Sequence, residues 1–355
     1  AVAIKEKTLG PEHAELATSL MILGGLLARG GDLAAARVPY ERAVAIREKA
    51  LGPEHPELAR SLSSLAGVVG DTGSLWDARR LFERAIAILE KTRGPDDPDL
   101  ARALNNLAHV LADTGDHARA RSQLARALAI HEKNQGPEHP LVAGTLNNLG
   151  TLLWRLGESA AARPLFERSL SITEKRLGPD HPEVANPLNN LALLVSDMGE
   201  YAEARALHER ALAVREKAFG PEHPMVAVSL ANLGVLLMET GDYAEARPLM
   251  ERAHAIREKT LGPDHPDVAT NLQALGDLLT TSGDYDEARP FFDRALALRE
   301  KVFGPEHTLL AATLNSLAEL LTKTGDYEGA RPRFERVLAI LEKSVGPEHP
   351  YVAET

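Results

Sequence analysis

Apolar residues recur along this chain at steps of three and four. Between 224 and 239, Val226, Ala227, Leu230, Leu233, Gly234 and Leu237 fall on one face of a helix. Pro224 suits the first helical turn, where its missing N–H is not needed. The triplet Thr240-Gly241-Asp242 then breaks the period. Gly241 suits a left-handed cap, and Asp242 with Glu245 reads as a capping box that opens a second helix. That helix turns Tyr243, Ala246, Met250, Ala253 and Ile256 inward and runs out before Gly262-Pro263. The predicted unit is a helix–turn–helix with helices of about 16–18 residues, roughly 25 Å each.

The unit repeats. Gly-Pro begins at 10, 52, 94, 136, 178, 220, 262, 304 and 346, always 42 residues apart. Eight full repeats follow: 10–51, 52–93, 94–135, 136–177, 178–219, 220–261, 262–303 and 304–345. Residues 1–9 end a preceding repeat and 346–355 start a further one, so 1–355 reads as a single array. The opening AVAIKEKTLG copies AVAIREKALG at 43–52 and has no initiator Met, which predicts a piece of a longer protein. The positions of Ala227 and Ala246 are Ala in all eight repeats, and that of Gly234 is Gly or Ala. Small side chains there predict helices about 8–10 Å apart. A lone hairpin cannot bury both faces, so the hairpins must stack.

The stretch LANLGVLLMETGDYAEARPLMERA, residues 230–253, resembles the tetratricopeptide repeat (TPR) in its small residue, its Gly-Asp-Tyr turn and its two alanines in the second helix. The 42-residue form, with LNNLA, EARPL, ALAIREK and LGPEHP, looks like the repeats of kinesin light chain. Similar arrays occur in bacterial signalling proteins that carry an ATPase or protease domain elsewhere. The resemblance covers essentially the whole chain. It departs at Leu230, where the family's common aromatic is Leu in every repeat. It implies an all-α, right-handed α-solenoid, a superhelix of helix–turn–helix repeats, in which the first helices line a concave peptide-binding groove.

Composition narrows the partners. The net charge is −11, which disfavours nucleic acid and anionic membranes. No apolar run reaches the ~18 residues of a membrane helix. The chain has no cysteine, hence no disulfide, thiolate metal site or cysteine nucleophile, and it fits a cytoplasmic setting. Abundant Ala, Arg and Gly point to a bacterial source.

Two motifs imitate chemistry. Eight of the thirteen histidines occupy the Gly-Pro-Glu/Asp-His loop: His13, His55, His139, His181, His223, His265, His307 and His349. Metal ligands must converge at ~2.0–2.1 Å on one ion, whereas equivalent positions of stacked repeats are separated by about 8–10 Å or more. The third repeat substitutes Asp97 and keeps its Gly-Pro. The histidines therefore read as a loop or capping device. VVGDTGSL at 68–75, with a second DTG at 113–115, resembles an aspartic-protease loop. Asp71 and Asp113 hold one phase of adjacent repeats, which elsewhere reads RGGD, RLGE or ETGD, so this is the turn between helices. No phosphate loop, zinc-protease helix or dinucleotide fingerprint occurs. No catalytic residue, metal or cofactor is expected.

The charged residues that recur serve the repeat. The positions of Arg247 and Arg252 are Arg in all eight repeats. Glu251 beside Arg252, and Glu258-Lys259, read as repeat-to-repeat ion pairs and solvated faces.

Function should sit where repeats differ. Carried over from the family, the groove register holds Asn105, Asn147, Asn189 and, one residue on, Asn148, Asn190 and Asn232. A row of amides can pair with an extended peptide backbone of any sequence. The competing reading is that the second Asn of each pair only ties adjacent helices. Early repeats add Arg60, Arg102, His109 and Arg155; middle ones add Trp154, Leu193, Val228, Val235 and Met238; late ones add Asp277 and Glu319. A basic side, an apolar centre and an acidic side describe a peptide site with polarity, although Leu193 and Val235 equally suit packing against the next repeat. The chaperone-tail clamp needs Lys and Arg where this chain has Met21, Ser63 and Asn105. Two functions follow. One is a non-catalytic scaffold that binds an extended peptide or partner segment. The alternative is the sensor or regulatory arm of a larger bacterial signalling ATPase or protease, with a neighbouring domain as partner. End-to-end self-association is a further expected use, because cut ends expose stacking faces.

Overall fold

The computed structural model describes residues 2–345, all of whose regular structure is helical. The start of the further repeat, 346–355 with His349, lies outside the described residues. Each full repeat contributes a first helix, A, and a second, B. Helix A spans Pro56–Asp71 in repeat two and Pro224–Glu239 in repeat six, 16 residues each. Helix B spans Leu75–Arg93 and Tyr243–Leu261, 19 residues each.

Local chemistry sets the ends. His55 is the N-cap of helix A in repeat two, and its Nδ1 accepts the backbone N–H of Glu57 at 3.1 Å. Nδ1 of His13, His139, His181, His223, His265 and His307 likewise accepts the backbone N–H two residues on. Asp97 replaces them in repeat three and accepts from Asp99 and Leu100. The acid before the histidine makes a separate contact. Glu54 pairs with Lys91 at 2.5 Å and Glu222 with Lys259 at 2.6 Å, each closing its repeat's loop onto the end of helix B. Gly52 ends helix B of repeat one at φ +85°, and Gly241 turns the chain between A and B at φ +85°, both left-handed as a glycine permits.

The expected capping box at Asp242 and Glu245 does not form. Asp242 stands at the N-cap, but its carboxylate accepts the Thr240 hydroxyl at 2.9 Å instead of a helix N–H. Asp32, Asp116 and Asp326 do cap, accepting from Ala35, Arg119 and Gly329. Repeat five departs too. Pro187 cannot donate to the first turn, and residues Pro182–Val184 form a 3₁₀ turn before the α-helix Ala185–Asp197.

Within a hairpin the predicted small residue faces a large one. A Cβ added at Gly276 would lie 2.7 Å from the Phe292 ring, and one at Gly234 2.7 Å from Met250. Val226, Ala227, Leu230, Ala253 and Ile256 form one buried cluster, each large side chain contributing roughly 1.5–3 kcal/mol. Tyr243, expected inside, is only half-buried at the first residue of helix B.

The chain divides into two compact units, residues 1–178 with repeats one to four and 179–355 with repeats five to eight. Inside each, helix B packs on helix A of the following repeat, and ion pairs bridge neighbours: Arg84 with Glu48 and Arg126 with Glu90 in the first unit, Arg252 with Glu216 and Arg294 with Glu258 in the second. Glu251 instead pairs within its helix, with Arg247 at 2.8 Å.

Candidate functional site

Each hairpin turns one side of helix A away from its own helix B, and the predicted site residues other than Asn189 are half-buried or exposed. In the first unit, cavities open between consecutive helices A. One, about 560 Å³, is lined by Met21, Arg47, Glu57, Arg60, Ser63, Ser64, Asp99, Arg102 and Asn106. A further repeat-to-repeat cavity, about 280 Å³, reaches Arg102, Asn105, Leu141 and Asn148.

The two predicted arginines meet through a residue that the sequence reading missed. Asp99 accepts from Arg60 at 2.7 Å and from Arg102 at 2.8 Å, and Arg60 also reaches Glu57 at 3.0 Å. The expected basic side is therefore largely neutralised from within. Asp99 raises the Arg60 pKa by hydrogen bonding, with burial opposing it. Beneath them Arg47, only 7% exposed, donates to the Glu57 carbonyl and to Ser61 Oγ and pairs with the Glu57 carboxylate at 3.2 Å. Burial lowers its pKa, and Glu57 resists that shift. The signal for Arg47 lay in its position, which holds Leu89 one repeat later and His131 two repeats later. Farther along, Arg155 is likewise paired, with Asp113 at 3.0 Å.

The amides separate into different roles. Asn148 donates to the Asn105 side-chain oxygen at 3.0 Å, joining repeats three and four, and both stay half-buried beside the cavity. Asn147 is half-buried on the same helix as Asn148, and Trp154 is half-buried near that helix's end. In the second unit Asn190, Asn232, Leu193, Val235 and Met238 are half-buried on helices A. Asn189 must be removed from the set of surface contacts. It is 5% exposed, and its oxygen lies 3.0 Å from Nδ1 of His208, which takes the place where repeat four packs Phe166. Burial pushes the His208 pKa down to about 4, so the neutral ring is the one that fits.

The decoys resolve. The Thr72 hydroxyl bonds the Val68 and Val69 carbonyls and Gly73 is left-handed, so DTG ends a helix. Among the described residues no group of three or more His, Asp and Glu side chains could hold a metal ion. No described helix is long and apolar enough to cross a membrane.

The sequence profile of the tetratricopeptide repeat matches in overlapping segments: 23–91, 99–175, 141–217, 183–247, 227–301, 278–343 and 309–355. The chain belongs to the tetratricopeptide repeat family. Its TPR hairpins are similar to those of the nearly identical TPR-like repeats assigned to a kinesin light chain of Podosopora anserina, at 26% identity and a TM-score of 0.51 over 58% of this chain and 98% of that one. They are similar to BtubC (BKLC) of P. vanneervenii, at 27% identity and a TM-score of 0.54 over 65% of this chain and 91% of that one. The apo quorum sensor NprR of B. thuringiensis shares the fold alone: 13% identity, a TM-score of 0.67, 92% of this chain and 88% of that one. No curated protein matches the sequence. TPR arrays serve in general as protein-interaction scaffolds, not as catalysts, and the resemblance to kinesin-light-chain repeats stands.

Proposed function

We propose that this TPR chain is a non-catalytic scaffold that holds an extended peptide, or an extended segment of a partner protein, along its helix A face. One observation carries the reading. Three cavities of the first unit, about 560, 310 and 280 Å³, open between consecutive helices A, where the repeats differ in sequence. The recurring charges are occupied elsewhere, closing loops and bridging neighbouring repeats. Asn147 and Trp154 are half-buried on one helix A, and an amide with a large aromatic side chain suits a peptide backbone with one anchoring side chain. The two relatives at 26% and 27% identity share the repeat type on which this reading is built.

The test is a peptide array probed with the whole chain, followed by titration of its best binder. Asn147→Ala and Trp154→Ala should each weaken that binder by about tenfold or more. Unchanged affinity in both variants would overturn the reading.

A further inference from the structure

Repeat two contains a cavity that its own glycines make. Two helix A positions face the neighbouring helix A, and in the first unit they read Gly25, Gly67, His109, Thr151 and, one turn later, Ala28, Gly70, Ala112, Trp154. Within that unit, repeat two alone has glycine at both. Each mid-helix glycine costs roughly 0.5–1 kcal/mol relative to Ala. Packing does not demand Gly67, since a Cβ there meets no atom within 4 Å. At Gly70 the nearest atom would be the Ala78 Cβ at 3.4 Å, an ordinary contact. What the missing side chains leave is a space of about 310 Å³ between the helices A of repeats two and three.

Its lining has two kinds of chemistry. Leu75, Phe82 and Val110 supply apolar surface, and Asp71, Asp113 and His109 supply polar groups. Asp113 is answered by Arg155 at 3.0 Å. Asp71 has no ion pair among the described residues; Arg29, its equivalent one repeat earlier, gives its Nε to the Gly25 carbonyl at 3.2 Å. Burial lowers the His109 pKa, Asp113 opposing and Arg155 reinforcing the shift. An exposed carboxylate with no ion pair among the described residues thus stands beside a partly apolar space.

We propose that this cavity is a subsite for the side chain of an arginine carried by a chain lying along the helix A face. The alkyl stem packs on Leu75, Phe82 and Val110, and the guanidinium meets Asp71. The Asn106 amide also lines the space, and acceptors in several directions suit a five-donor guanidinium better than a point-like ammonium. The proposal rests on the scaffold reading only for the chain that delivers the arginine.

N-acetyl-arginine-N-methylamide, with its norleucine and glutamate counterparts, can be titrated into the full chain while the Leu75 and Val110 methyl signals are followed by NMR. The arginine probe should shift both signals, and norleucine should bind about tenfold more weakly or worse. Gly67→Leu should abolish the arginine response without lowering the melting temperature, because no atom opposes a side chain there and Leu193 holds the same position in repeat five. Asp71→Asn should reduce arginine to the level of norleucine. The subsite is overturned if norleucine matches arginine, if arginine leaves the methyls unmoved, or if Gly67→Leu still responds. These probes need no peptide, so a failure here is separate from a failure of the Asn147 and Trp154 variants.

Discussion

His55 shows how a residue type associated with catalysis is spent on structure. Its Nδ1 caps helix A, Glu54 pairs with Lys91, and Pro56 opens the helix, so the side chains of the loop each have a local purpose. A cap needs an acceptor and nothing else that histidine offers, which is why Asp97 replaces it in repeat three. His55→Ala should cost about 1 kcal/mol, and His55→Asp no more than about a few tenths. Denaturant unfolding of both variants checks this; equal losses would contradict the cap. The capping role was legible because the loop recurs in register. The fate of Asp242 was not, because Thr240, two residues away, takes the carboxylate that the pattern assigned to the helix.

At the scale of the hairpin, the paired positions on helices A and B decide which helix A side chains are buried. Repeat five packs His208 where repeat four packs Phe166, and the buried ring holds Asn189. The folded state keeps His208 neutral with a pKa of about 4, whereas the unfolded chain protonates it near 6.5. Protons therefore favour the unfolded chain in that window. Stability is intact above pH 6.5 and falls by about 3 kcal/mol as pH drops through the window toward 4. The double variant His208→Phe, Asn189→Ser, which reproduces the Phe82 and Ser63 pair of repeat two, should remove that component. Urea midpoints at neutral and acidic pH measure it, and an unaltered pH dependence would refute the assignment. The sequence pattern placed Asn189 in a row of equals; only the hairpin partner 19 residues away singles it out.

At the scale of the whole molecule, charge and exposed apolar surface are unevenly shared. Residues 1–178 hold 23 basic and 22 acidic side chains, and 179–355 hold 17 and 29, leaving +1 and −12. Repeat one exposes Ile22 by 59%, Leu23 by 37% and Leu26 by 56%. The equivalents of Leu23 and Leu26 in repeat two, Leu65 and Val68, are 6% and 5% exposed. This apolar face should drive self-association of residues 1–355 that resists salt. Light scattering over a range of concentrations should show mass rising, and Leu26→Glu should suppress the rise. A constant monomer mass would rule it out.

The sequence by itself determined the hairpins, their 42-residue period, the capping loops and the small residues that let helices approach. All of these depend on residues within one repeat, through helical periodicity and turn chemistry. Only the tertiary structure decided what several of the predicted site residues touch. Asp99 neutralises Arg60 from the next repeat, Asn148 occupies Asn105 across 43 residues, and His208 draws Asn189 inward. It also decided that two missing side chains in repeat two leave a space beside Asp71. Such partners are set by the stacking of one hairpin on another, and a repeat's own pattern carries no record of what its neighbour brings.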